Sequence, residues 1–492
     1  MKTDLSALAT SRKLPTILPR PDHNVTGESQ LGNHVWRHDL PRDLFAFHVN
    51  ERDASYFDLF RVHIVRDLSG YAYSEFWSRT ILRESMEDQC IRHCVLGIGA
   101  LSRSLQFDLH PVNHDTILDT EAFELTQHRE AALRHYGKAL RLYRQRVAFG
   151  GDRPSTQRIL PAALLCMVFE FLQGHISAVD GLITSSIKLL RDEIRTLQSP
   201  CLPGSETDEA EDLLARLAAL SAITPFFPSS QRHYGILDAR PLNVVPEVDC
   251  NTNTVTVMWK SSYTRLCIFG SRCQGAAMSE SSFHPDKVKK EREAHLTNLR
   301  EWRKFFDSRL GTEKNRNHRR SLVLMTIQCH IGSLFVQGCM DSEGGLTYDG
   351  FTEEYRKILA LFKMFLEDPG EKPKIRFTFE IGILPSICMV IHTCRQRGLR
   401  EEAADVLTTL VQYWGDFREG PWDSRILAKG FRTLMTLEEA GMDETGFIPP
   451  YARFRWTGTV HDLDNGHLVA EYTSLLPGEN GERTKGRVDL HI

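Results

Sequence analysis

The chain has 492 residues, 25% of them charged and 41% hydrophobic, the proportions of a folded globular protein rather than a disordered one. A formal net charge of -4 gives no overall attraction to nucleic acid or to a membrane surface. No apolar segment follows a positive start, so no secretory signal is expected and the Asn24-Val25-Thr26 sequon is read as unused. No uninterrupted apolar run reaches membrane-spanning length. The nearest, Leu322 to Val336, is broken by Gln328, His330 and Ser333. The 11 cysteines are odd in number and scattered, which suits reduced thiols of the cytoplasm or nucleus.

Taken in order, residues 1–45 are polar and proline-bearing with no sustained period, and read as a flexible arm. Phe57, Phe60, Ile64 and Leu68 then recur at helical spacing until Ser69-Gly70 stops them. Ser85-Met86-Glu87-Asp88 has the form of a capping box. It precedes a helix with Ile91, Cys94, Ile98, Leu101 and Leu105 on one face, and with Gly97, Gly99 and Ala100 small enough to admit a neighbour. His128 to Val147 predicts an amphipathic helix with Leu133, Tyr136, Leu140, Tyr143 and Val147 inward and Arg and Lys opposite. Pro161 suits the first turn of the next helix. Ala162 to Leu172 is apolar all round, Gly174 is a C-terminal cap, and Ile176 to Ile194 returns as the second arm of a hairpin.

An internal break is expected near residues 225–257, where Pro, Asn and Thr are concentrated. Helices are then predicted over Met258 to Met278, Pro285 to Leu310, Leu322 to Gln337, and around Tyr355 to Phe365. Leu384-Pro385 opens another, with Gly398 as its cap, and Leu399 to Trp414 pairs back on it. At the end the period changes to two. Phe454 to Val460 and Leu468 to Tyr472 flank Asp464-Asn465-Gly466, a hairpin signal. Residues 477–492 read as a frayed tail. The expected fold is all-α, antiparallel helical hairpins packed like tetratricopeptide units without a strict repeat, with a small C-terminal β-hairpin.

Candidate chemistry is sparse. Cys90, His93 and Cys94 fall within one helical turn, but a fourth ligand at matching spacing is missing, so core cysteines are favoured over a metal site. Cys388 and His392, with Cys394 nearby, share a helix face that a nucleophile and base could use. The apolar flanks and the lack of an orienting carboxylate favour packing. Gly97-Ile98-Gly99 lies inside a helix pattern and lacks a third glycine, so it is not a nucleotide loop. Glu170, inside an apolar helix, needs a partner and is read as a structural pair before a ligand contact. Tyr136 and Tyr143 are read as core before pocket lining. Residues 287–320 hold 12 Lys/Arg against 5 Asp/Glu, leaving -11 for the rest. Within them, Lys314 to Arg320 reads as a solvated interhelical loop before a nuclear import signal or a phosphate patch. No catalytic, cofactor-binding or metal residue is assigned.

Five runs carry a resemblance. They are Phe60 to Leu101 ("FR…DLSGY…FWSR.IL..S…D..IRH.VLGIGAL") with "HREAALRHYGKALR", then "CMVFEFLQGHISAVDGLITSSIKLL", then "REGPWDSRILAKGFRTLMTLEEAG", and last "IPPYARFRWTGTVHDLDNGHLVAEYT". In this order they resemble the regulatory domain of fungal zinc-binuclear-cluster (Zn2Cys6) transcription factors. The family's DNA-binding module needs six cysteines in two Cys-x2-Cys-x6-Cys half-motifs. No Cys-x2-Cys occurs in these 492 residues, so direct zinc-cluster DNA binding is not carried over. The resemblance implies a nuclear transcriptional regulator, not an enzyme, whose helical domain spans 46–476. It would act through protein partners, as a homodimer or with a DNA-bound zinc-cluster factor, with no membrane association and with room for a small-molecule effector. Metabolic or secondary-metabolite gene clusters would be its targets. The alternative is a cytoplasmic helical scaffold of tetratricopeptide-like hairpins that binds a protein or peptide.

Overall fold

A helix needs its first amides satisfied, and Asn50 does this for the first element: its Oδ1 accepts from the Asp53 amide at 2.8 Å. In the computed structural model the chain falls into two units, Met1–Val49 and Asn50–Ile492. The described residues all lie in the second: 50–70, 74–107, 118–148, 156–197, 206–222, 244–276, 285–370, 377–462, 467–478 and 480–491. The expected arm and most of the expected internal break, with the Asp464-Asn465-Gly466 turn, lie outside them.

The helices are α1 (Glu51–Leu59), α2 (Val65–Ser69), α3 (Ile81–Glu87), α4 (Gln89–Phe107), α5 (Leu118–Ala148), α6 (Thr156–Gln173), α7 (Ile176–Leu197) and α8 (Glu206–Ala222). After them come α9 (Thr252–Ala276), α10 (Pro285–Leu310), α11 (Arg316–Gly338), α12 (Thr352–Glu367), α13 (Leu384–Thr393), α14 (Arg397–Trp414) and α15 (Ser424–Glu439). Sequential helices pack as pairs: α4 on α5, α6 on α7, α10 on α11, α13 on α14. The fold is mostly α, as expected. Its interior is one continuous apolar cluster running from Tyr56 to Leu490. α11 is apolar and long enough to cross a bilayer, but 89% of its apolar window is buried among other helices, which makes it a core helix.

Small residues set the tightest crossing. A Cβ on Gly99 would come within 2.4 Å of the Tyr56 carbonyl, so only glycine lets α1 lie this close to α4. Two small sheets complete the body. β1 (Phe377–Thr378) runs parallel to β2 (Arg418–Glu419), which pairs antiparallel with β3 (Trp422–Asp423). β4 (Phe454–Asp462), β5 (His467–Ser474) and β6 (Lys485–His491) form an antiparallel sheet in that order.

Several local expectations give way. The residues read as a frayed tail supply β6, in register with β5 from His467↔His491 to Thr473↔Lys485. Val488 and Leu490 turn toward the core there, and the hairpin becomes a three-stranded sheet. The cap of α4 is Asp88, not Ser85. Asp88 Oδ1 accepts from the Cys90 and Ile91 amides at 2.7 and 3.2 Å, while Ser85 Oγ donates back to the Leu82 carbonyl within α3. Pro161 lies inside α6, which starts at Thr156. Gly398 lies in α14 rather than capping α13.

The inward face of α5 is also shifted. Tyr136 and Tyr143 are buried, but Leu133 and Val147 are 50% and 44% exposed. The buried ridge is Ala131, Ala132, His135, Tyr136, Ala139 and Tyr143. Its alanines bring the helix close to α4, where a Cβ on Gly97 would meet the Ala132 carbonyl at 3.4 Å.

Candidate functional site

The cysteines singled out in the sequence as candidate ligands or nucleophile are core, while His93 and His392 are half-buried. Cys90 and Cys94 are buried, and Cys94 Sγ lies 3.9 Å from Cys166 Sγ across to α6. Its two thiol neighbours and burial push the Cys94 thiol well above its ordinary range. His93 turns away from the sulfurs, and its Nδ1 meets His135 Nδ1 at 3.0 Å. No group of three or more metal-binding side chains occurs among the described residues. Burial raises the Cys388 thiol far above, and lowers the His392 imidazole far below, their usual values, so a thiolate–imidazolium pair is disfavoured at both ends. His392 packs edge-on to Phe431.

Glu170 has the structural partners that its burial demands. It accepts from the Tyr136 hydroxyl and lies 2.8 Å from His175 Nδ1. Tyr136 itself stacks on Phe169 at 3.8 Å between ring centres. Gly97 and Gly99 are packing positions. The basic run is partly helix: Asn315 caps α11 by accepting from the His318 amide at 3.1 Å, so Arg316 to Arg320 form its first turn rather than a loop. In the wider basic segment five of the twelve cations are paired, as Arg292–Glu293, Arg303–Glu354, Lys304–Glu301, Arg309–Glu313 and Arg316–Asp368, while Glu291 pairs with Arg272 from outside it.

Glu438, Glu419 and Glu380 are among the buried carboxylates that escaped the sequence reading. Glu438, on α15, is fully buried. Its Oε1 lies 2.9 Å from Arg395 Nη2 and accepts the Phe454 amide at 2.8 Å, and its Oε2 is 2.7 Å from Arg400 Nη2. Arg400 Nε donates to the Ile391 carbonyl at 2.7 Å. One side chain thus ties α15 to the α13–α14 junction and to the start of β4. Glu419, on β2, accepts the Ile383 and Leu384 amides at 3.0 and 2.8 Å and so caps α13.

Glu380 sits between Arg216 at 3.3 Å and Lys260 at 2.8 Å. Against the cost of burial, Arg216 and Lys260 hold its carboxyl below the usual range. Its Oε2 has no hydrogen-bond partner, and it borders a cavity of about 30 Å³ lined by Trp259, Tyr263, Gln328 and Ile381. That space suits a water or two, so this cavity is not the effector site the resemblance leaves room for. Of the three, only Glu380 stands within an apolar stretch of the sequence. Their partners lie tens to hundreds of residues away.

A family model described as "Fungal specific transcription factor domain" matches residues 55–224, the segment from α1 to just past α8. No curated protein and no solved structure matches the chain. That domain is regulatory rather than catalytic. The match covers 170 of the 492 residues, so it is residues 55–224 that are similar to the fungal-specific transcription factor domain.

Proposed function

We propose that this protein is a nuclear transcriptional regulator of the zinc-cluster class that works through protein partners rather than through a zinc cluster of its own. The domain match over residues 55–224 carries the reading. Two further facts support it. The 492 residues contain no Cys-x2-Cys pair from which such a cluster is built. The buried Glu438 and Glu380 are engaged in ion pairs within the fold, with Arg395 and Arg216 among their partners. Such a regulator needs a DNA-bound partner to reach promoters.

A tethering experiment tests this. The full chain, fused to an unrelated DNA-binding domain, is placed upstream of a reporter in a fungal host, with localisation scored in the same cells. The expected result is a nuclear fusion that changes reporter output several-fold. A fusion that occupies the reporter promoter yet leaves output unchanged, together with an untethered chain confined to the cytoplasm, would favour the helical scaffold.

A further inference from the structure

The basic segment that stands out in the sequence, residues 287–320, has five of its twelve cations in ion pairs with carboxylates. A second row of cations lies on the solvent face of α5. Between Arg129 and Arg146 this helix carries six Arg/Lys and one acid, Glu130. Arg146 is paired with Asp88 at 2.5 Å. Arg134, Lys138, Arg141 and Arg144 are exposed and form no ion pair among the described residues. At about 1.5 Å per residue they form a row about 15 Å long.

A second feature runs beside that row. Leu133, Leu140 and Val147 are spaced by seven residues, the period of a helix–helix seam. Leu133 and Val147 are 50% and 44% exposed, and Leu140 is half-buried. Gly137 lies on the same face, between Leu133 and Leu140. A Cβ there would meet nothing within 4 Å. Glycine in a helix interior weakens the helix, and nothing in the folded chain requires it at this position. It leaves the backbone open to close approach from outside.

We infer that this face of α5 docks an acidic amphipathic helix from a partner protein. Apolar side chains of that helix would cover Leu133, Leu140 and Val147 and cross closely at Gly137, while its Glu and Asp residues meet Arg134, Lys138, Arg141 and Arg144. Charge selects this occupant. A second copy of α5 would set cations against cations. A nucleic-acid backbone would leave the apolar seam uncovered and would face a protein of net charge -4. The inference rests on the reading that the protein works through protein partners.

The test uses the full chain and a fluorescent helical peptide of about three Leu/Ala/Glu heptads, read by anisotropy near physiological salt. The wild-type chain is expected to bind it and to ignore a scrambled peptide of the same composition. R134E/R141E/R144E should lose at least about tenfold in affinity with an unchanged circular dichroism spectrum, and should recover it toward a peptide with Lys in place of Glu. G137A should raise the thermal midpoint while weakening binding, a split that a purely structural glycine would not give. Absence of wild-type binding, equal binding of the scrambled peptide, or an unaffected triple variant would overturn the proposal. So would a duplex DNA that binds more tightly than the peptide and is lost in the same variant. This readout does not depend on localisation or transcription, so its failure leaves the tethering result standing, and the reverse holds too.

Discussion

Glu438 joins α15 to the α13–α14 junction and to the start of β4. It is a fully buried carboxylate held between two guanidiniums while it also accepts a backbone amide. Removing one partner of a buried ion cluster leaves the others unpaired, which costs about 3–5 kcal/mol. Glu438→Ala is therefore expected to lower unfolding stability by about that amount in a denaturant titration, with Glu438→Gln losing less. A loss under about 1 kcal/mol would show that Arg395 and Arg400 are solvated without it. This cluster was hardly legible in the sequence. Glu438 stands beside Glu439 at the end of an amphipathic helix, where carboxylates normally face water, and Arg395 lies 43 residues away. Glu170 was easier to read, because apolar neighbours on every side of it announce burial.

At the scale of elements, α1 is held to α4 and α5 by a polar latch. Asp53 Oδ1 lies 3.2 Å from His135 Nε2, His135 Nδ1 meets His93 Nδ1 at 3.0 Å, and the Tyr56 hydroxyl lies 2.7 Å from His128 Nδ1. Burial, then His135, Lys138 and Arg92, press the His93 imidazole down to about 4, against the pull of Asp53. Burial also lowers His135, with Lys138 and Arg134 adding to it and Asp53 opposing. His128 is lowered by burial, with Arg52 and Arg103 adding to it and Glu124 opposing. All three are neutral in the folded state and bind protons more readily once unfolded. Their contribution to stability is complete above about pH 6.5 and is lost as pH falls toward 4. The urea midpoint should thus decline between pH 6.5 and 5, before most carboxylates titrate, and His93→Gln should flatten that decline. A midpoint constant over this window would contradict the neutral latch.

The element scale also shows why sequence periodicity reached most helices but missed some edges. Pro285–Leu310 was read with its observed bounds, since an apolar stripe and a proline start define it. The face of α5 was misread because alanines, weak signals in a periodicity count, make the closest contact. Strand β6 was missed because seven residues carrying Lys485, Arg487 and Asp489 look like a tail until β5 is in place to pair with them.

Across the whole molecule, composition and period were enough for a mostly α body with a β end, and the motifs within residues 55–224 were enough for the domain match there. The buried charge pairs that lock the hairpins together, and the unpaired basic face of α5, needed the fold, because both depend on which surfaces meet. The proposed role of this helical body is regulation of transcription through partners. Chromatin occupancy of the tagged full-length protein in its host tests that role directly. Focused peaks at promoters are expected, and they should disappear when a DNA-bound zinc-cluster partner is deleted. A protein found in the cytoplasm, with no promoter peaks in cells where the domain is expressed and folded, would contradict it.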